Sequence, residues 1–98
     1  MEGTKTLQVR ISEQFSRDLE QAQLYEKEIW ELIERLTTNY LLFPECHHLI
    51  TKSRMYRWII LDAHSLIYRL QKNEIQVLRL IHTRRSINQI KAARSVRM

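Results

Sequence analysis

Three groups of residues in this chain could do chemistry. The first is His82, His64, Arg69, Arg84 and Arg85, all in the basic C-terminal half. Cleavage of RNA by a 2′-hydroxyl needs a base, an acid and cationic stabilisation of the phosphorane. An imidazole near its free pKa can move the proton and guanidinium groups can clamp the phosphate. If the chain is a nuclease, its catalytic candidates are therefore His82, Arg69, Arg84 and Arg85. The plainer alternative is that His82 ends a strand beside solvated arginines, because no second titrating group is paired with it in the sequence. The second group is Lys52, Arg54, Arg57, Trp58, Arg69, Arg84 and Arg85, where cations flank the aromatic rings of Tyr56 and Trp58. Such interleaving suits nucleic acid or another acidic target, although aromatic residues at these positions also pack sheets. The third is Cys46-His47-His48, with a thiol and two imidazoles of the kind that bind zinc. No fourth ligand stands at a usual spacing, and in a strand the two histidines would point to opposite faces. Neither a metal nor another cofactor is expected, and Cys46 lacks the setting of a catalytic thiol.

These residues must be positioned by the stretch from Arg54 to Arg85, where three β-branched and aromatic runs are separated by two short polar gaps. That pattern predicts an antiparallel three-strand meander. Lys72-Asn73 makes a two-residue hairpin loop, which sets Leu70 opposite Ile75, Tyr68 opposite Val77 and Leu66 opposite Arg79. A second turn centred on Ala63-His64 places Leu61 opposite Leu66. One face then carries Met55, Ile59, Leu61, Leu66, Tyr68, Leu70, Ile75, Val77 and Ile81, and is the expected core face. The other mixes Tyr56, Trp58, Ile60, Ile67 and Leu78 with Arg69, Gln76 and His82, so partial cover is expected there.

Upstream, Thr4 to Ile11 alternates with the period of a half-buried strand that should join the meander. Ser12 is a good helix N-cap, and Phe15, Leu19 and Ala22 begin an apolar stripe that continues through Ile29, Leu32, Ile33, Leu36 and Tyr40. No glycine or proline interrupts the segment from Ser12 to Phe43, yet a single rod of about 45 Å would overrun so small a sheet. A helical hairpin bent near Gln23 to Glu26 is therefore preferred, with Glu26, Glu28, Glu31 and Glu34 on its solvated side. Trp30, near the edge of the stripe, should serve core or partner contact. Pro44 should stop the second helix. A short strand at His48 to Thr51, a last helix from Ile87 to about Arg94 capped by Ser86, and a frayed tail from Ser95 complete the reading.

Ninety-eight residues suffice for one domain spanning 1–98. The net charge of +5 is unevenly spread: residues 1–45 hold five Lys/Arg against nine Asp/Glu, and residues 46–98 hold eleven against two. Halves near −4 and +9 allow the basic one to attract nucleic acid or an acidic protein. One cysteine allows no internal disulfide. With no apolar leader and no run approaching the ~20 residues of a membrane span, a soluble cytoplasmic protein is expected.

The order strand, two helices, proline and basic meander resembles the RelE/ParE superfamily, the toxins of type II toxin-antitoxin modules. The resemblance rests on Phe43-Pro44, Tyr56-Arg57-Trp58, Leu66-Ile67-Tyr68-Arg69 and the run Ile75-Gln76-Val77-Leu78-Arg79-Leu80-Ile81-His82-Thr83-Arg84-Arg85. It implies an α+β fold with a helical hairpin on one face of an antiparallel sheet, and a small antitoxin as partner. It also implies one of two targets. ParE-like members poison DNA gyrase by binding, whereas RelE-like members cleave messenger RNA on the ribosome. The ribonucleases typically carry an arginine three positions before the tyrosine of the fourth strand, where this chain has Ser65, and an acid/base set near the chain end. Leu80-Ile81-His82 with Thr83-Arg84-Arg85 is similar to the ending of ParE-like toxins, so gyrase inhibition is the preferred expectation. A non-toxic binding module of the same fold is the other class, and a homodimer is a further possible assembly.

Overall fold

Alternation is enough to make Gln8–Ile11 a strand: Val9 and Ile11 turn toward the core while Gln8 and Arg10 face solvent. The computed structural model describes residues 5–22, 26–84 and 87–98, and this strand is β1. Ser12 ends it and starts helix α1, Glu13–Ala22, by accepting the Phe15 N–H on its Oγ at 2.9 Å. Helix α2, Glu26–Asn39, follows as a separate element; the bend expected from Gln23 to Glu26 lies mostly outside the described residues. Glu26, Glu28, Glu31 and Glu34 are exposed as their phase requires.

Strands β2, Tyr56–Ile60, β3, His64–Gln71, and β4, Glu74–His82, form the expected antiparallel meander. Lys72 and Asn73 both have positive φ, at 55° and 59°, as a type I′ hairpin turn demands. β1 adds to β4 in parallel, so the sheet is mixed, with order β1-β4-β3-β2.

Two parts of the expected register are corrected. Leu70 and Tyr68 do face Ile75 and Val77, but a bulge at Leu78 shifts the rest, so that Ile67 pairs with Arg79 and Leu66 with Leu80 instead of Arg79. The extra residue reverses the facing of the strand beyond it, which sends Leu80 into the first core and Ile81 into the second. The β2–β3 turn is Asp62-Ala63, closed by the Leu61 N–H on the His64 carbonyl at 2.8 Å, so Leu66 faces Ile59 and not Leu61. The bulge has a partner at the cap of α1. Ser12 donates its hydroxyl to the Leu78 carbonyl at 2.7 Å and its N–H to the Val77 carbonyl at 3.0 Å.

The first core lies between the helices and the sheet and is built on Phe15, Leu36, Leu66, Tyr68, Ile75 and Val77. The second face is covered in part, as expected, with Ile60 left exposed. Cys46 and Leu49 lie over Tyr56, Trp58, Ile67, Leu78 and Ile81 together with Ala93 from the chain end, and Met55 joins this side. His48 to Thr51 is not a strand. A turn closes there through the Leu49 N–H on the Cys46 carbonyl, and Glu45 alone bridges to Arg57. α2 ends at Asn39, five residues before Pro44, because the chain turns there through the Leu42 N–H on the Asn39 carbonyl. The last helix divides into α3, Ile87–Lys91, and a 3-10 turn, Ala92–Ser95; the Ser86 cap lies outside the described residues. Beyond it Val96 and Met98 pack on the second core, so the tail is held.

Tyr68 makes a pH-dependent contribution. Its hydroxyl is buried and donates to the Tyr40 carbonyl at 2.6 Å, and burial raises its pKa well above the ordinary 10.0. The folded state then holds this proton more tightly than the unfolded one. Its contribution is complete below pH 10.0 and declines as pH rises above that value. Urea midpoints should fall between pH 9 and pH 11 more steeply for this chain than for Tyr68→Phe (about the ordinary tyrosine range); equal slopes would contradict the assignment.

Candidate functional site

The ends of the sheet separate the sequence-selected residues. At one end β3 begins and β4 finishes, placing His64 directly opposite His82 with ring centroids 4.9 Å apart and planes at 75°. The Thr83 N–H closes the ladder on the Ala63 carbonyl at 2.8 Å, and the Arg84 N–H donates to His82 Nδ1 at 3.0 Å. That bond leaves the proton of a neutral His82 ring on Nε2. His64 Nδ1 is buried without a hydrogen-bond partner among the described residues. Burial, and then the neighbouring His82, push its pKa down. A cavity of about 580 Å³ opens beside the pair, lined also by Gln14, Asp18, Gln21 and Arg79.

Arg69 is not part of this end. It pairs with Gln76 near the far end of β3, about 17 Å along the strand from the His64 row. There it is only 9% exposed, donates Nε to Gln76 Oε1 at 2.7 Å, and lies over the Tyr56 ring at 5.9 Å. Gln76 in turn donates to Glu74 at 2.8 Å, and Arg10 meets the same carboxylate at 3.2 Å. The Gln76 bond, then Arg10, hold the Glu74 carboxyl below its usual value. This chain of bonds ties β1, β3 and β4 together, and it makes Arg69 a structural cation. The expected catalytic set is therefore corrected: Arg69 lies apart from His82 and Arg84, and Arg85 is outside the described residues.

The binding set is divided as well. Arg57 is half-buried on the helix side and donates to the Phe43 carbonyl at 2.8 Å and the Leu41 carbonyl at 3.3 Å, holding the loop after α2. Trp58 is 9% exposed in the second core, with His47 and His48 edge-on to its ring at 4.7 and 5.7 Å. It is not open to stack on a base. Lys52, Arg54 and Arg84 are exposed and enter no ion pair among the described residues. Cys46 is buried, and burial raises its thiol pKa. Its neighbours His47 and His48 lie in a turn and both reach Trp58, so the strand argument that would separate them does not apply.

Sequence reasoning overlooked Asp18. Its carboxylate accepts Arg79 Nε at 2.6 Å, Arg79 Nη2 at 3.2 Å and the Leu80 N–H at 3.0 Å, beyond the end of β1. The signal was present: Asp18 falls within the stripe of Phe15, Leu19 and Ala22, and a carboxylate in an apolar stripe needs a buried partner.

Residues 5–87 match the family model described as the ParE toxin of the type II toxin-antitoxin system, parDE. The chain belongs to that family. Like other members of the ParE/RelE group, it is the toxin of a type II toxin-antitoxin module. The fold of this ParE-family toxin is similar to that in a crystal structure of the toxin-antitoxin complex RelBE2 from Mycobacterium tuberculosis. The TM-score is 0.55 and the identity 20%, over 79% of this chain and 98% of that one. A search of curated proteins found no match. Among the described residues no helix of the toxin is long and apolar enough to cross a membrane.

Proposed function

We propose that this toxin acts in the cytoplasm by binding DNA gyrase and blocking its cycle, and that a cognate antitoxin neutralises it. The observation that carries the reading is the separation of Arg69 from His82 and Arg84, which takes one of the expected arginines away from the nuclease set. What the toxin offers instead is exposed cations that enter no ion pair among the described residues, Lys52 and Arg54 ahead of β2 and Arg84 beyond β4, each suited to an acidic protein surface. Exposed Leu41, Leu42, Ile50, Ile60 and Ile87 supply apolar surface that an antitoxin could cover.

Purified toxin is expected to inhibit gyrase supercoiling of relaxed plasmid, and Lys52→Ala with Arg84→Ala to weaken the inhibition. Induction in cells without antitoxin should arrest growth with a DNA-damage response and intact transcripts. Transcripts cut at defined codons on ribosomes, with gyrase unaffected, would replace this reading by the RelE-like one; normal growth would replace it by an inert binding module.

A further inference from the structure

We propose that His64 and His82 form a two-imidazole chelate for a borderline divalent transition ion such as zinc or nickel. The register brings the rings together on one side of the sheet. Because the Thr83 N–H meets the Ala63 carbonyl, the row at His64 and His82 is a non-hydrogen-bonded pair, in which facing side chains approach most closely. Their centroids are 4.9 Å apart at an interplanar angle of 75°. Two imidazoles on one tetrahedral ion, each at about 2.0 Å from metal to nitrogen, set their ring centres about 5 Å apart. The pair therefore already has nearly the separation that ligation requires.

The surroundings suit a cation better than the overall charge suggests. Arg79, the guanidinium lining the adjacent cavity, is engaged by Asp18, while Glu28 and Asp62 share the cavity on the other side of His64. Neither ring engages its Nε2 with protein among the described residues. The 580 Å³ cavity has space for the water molecules that would complete the coordination. Ligation through Nε2 has a defined consequence at His82: the ring proton moves to Nδ1, no proton is released, and the exposed Arg84 amide loses its acceptor.

His47 and His48 are the control, since their centroids are also 4.9 Å apart but both rings are set edge-on to Trp58. Calorimetric titration of the toxin with zinc chloride and with nickel chloride should show one ion per chain and raise the thermal midpoint by several degrees. His64→Ala and His82→Ala should each weaken binding at least tenfold, and His47→Ala with His48→Ala should not. In the unsubstituted protein the Arg84 amide resonance should shift on adding zinc, a readout that does not depend on a variant folding. Absence of binding, binding that survives loss of both His64 and His82, or an unmoved Arg84 amide would each overturn the proposal.

Discussion

Asp18→Ala should lower the stability of the toxin by about 3 kcal/mol, because it leaves the Leu80 amide and the Arg79 guanidinium without their shared acceptor. The loss is expected to be large for a single helix residue because the Asp18 side chain is only 7% exposed and that of Arg79 20%. For a domain of this size the thermal midpoint should fall by about 15 °C. Arg79→Ala should also be costly, since it strands the carboxylate against the sheet. The double variant should be clearly more stable than the sum of the two single losses, because each single change removes the same contact. Differential scanning calorimetry of the three variants provides the test. Additive losses, or a midpoint shift of only a degree or two for Asp18→Ala, would show that the carboxylate is not anchoring α1 to β4.

Trp58→Ala should destabilise the fold by about 3–5 kcal/mol, the range for truncating a buried aromatic side chain. Trp58 is a central side chain of the second core, against Cys46, Leu49 and Ile67, with the two imidazoles closing its exposed edge. By contrast, Lys52→Ala and Arg84→Ala should leave stability within about 0.5 kcal/mol, being exposed and in no ion pair among the described residues. Urea unfolding separates these cases. If Trp58→Ala kept its unfolding midpoint and lost only target inhibition, Trp58 would be a contact residue after all.

These two residues also mark how far the sequence could be read. Periodicity identified the meander, the Ser12 cap and the apolar stripe, because each is a local pattern whose buried partner follows from its phase. Lys72-Asn73 even set the register of the near half of the β3–β4 hairpin. Beyond Leu78 that reasoning failed, since a bulge has no local signature here and its free carbonyl is met by Ser12, far away in the chain. Trp58 and Arg69 look like binding residues for a similar reason. Their covers are Cys46, Leu49 and the chain end for one and Gln76 for the other, contacts that arise only from the tertiary fold. His64 opposite His82 was hidden for the same reason: the unbulged register sets Ile81 there, and the expected turn at Ala63-His64 placed His64 in a loop.

The parallel join of β1 to β4 governs the order in which the molecule can be assembled. Ser12 and Leu78, which lock that join, lie 66 positions apart, so the first strand made must wait for the last one before it can enter the sheet. Contacts of such long range slow folding and leave the emerging N-terminal half without its docking surface during synthesis. Ribosomes that stop before Glu74 would release a polypeptide with neither a closed sheet nor the His82–Arg84 end, so premature termination should yield an inert product rather than a partial toxin.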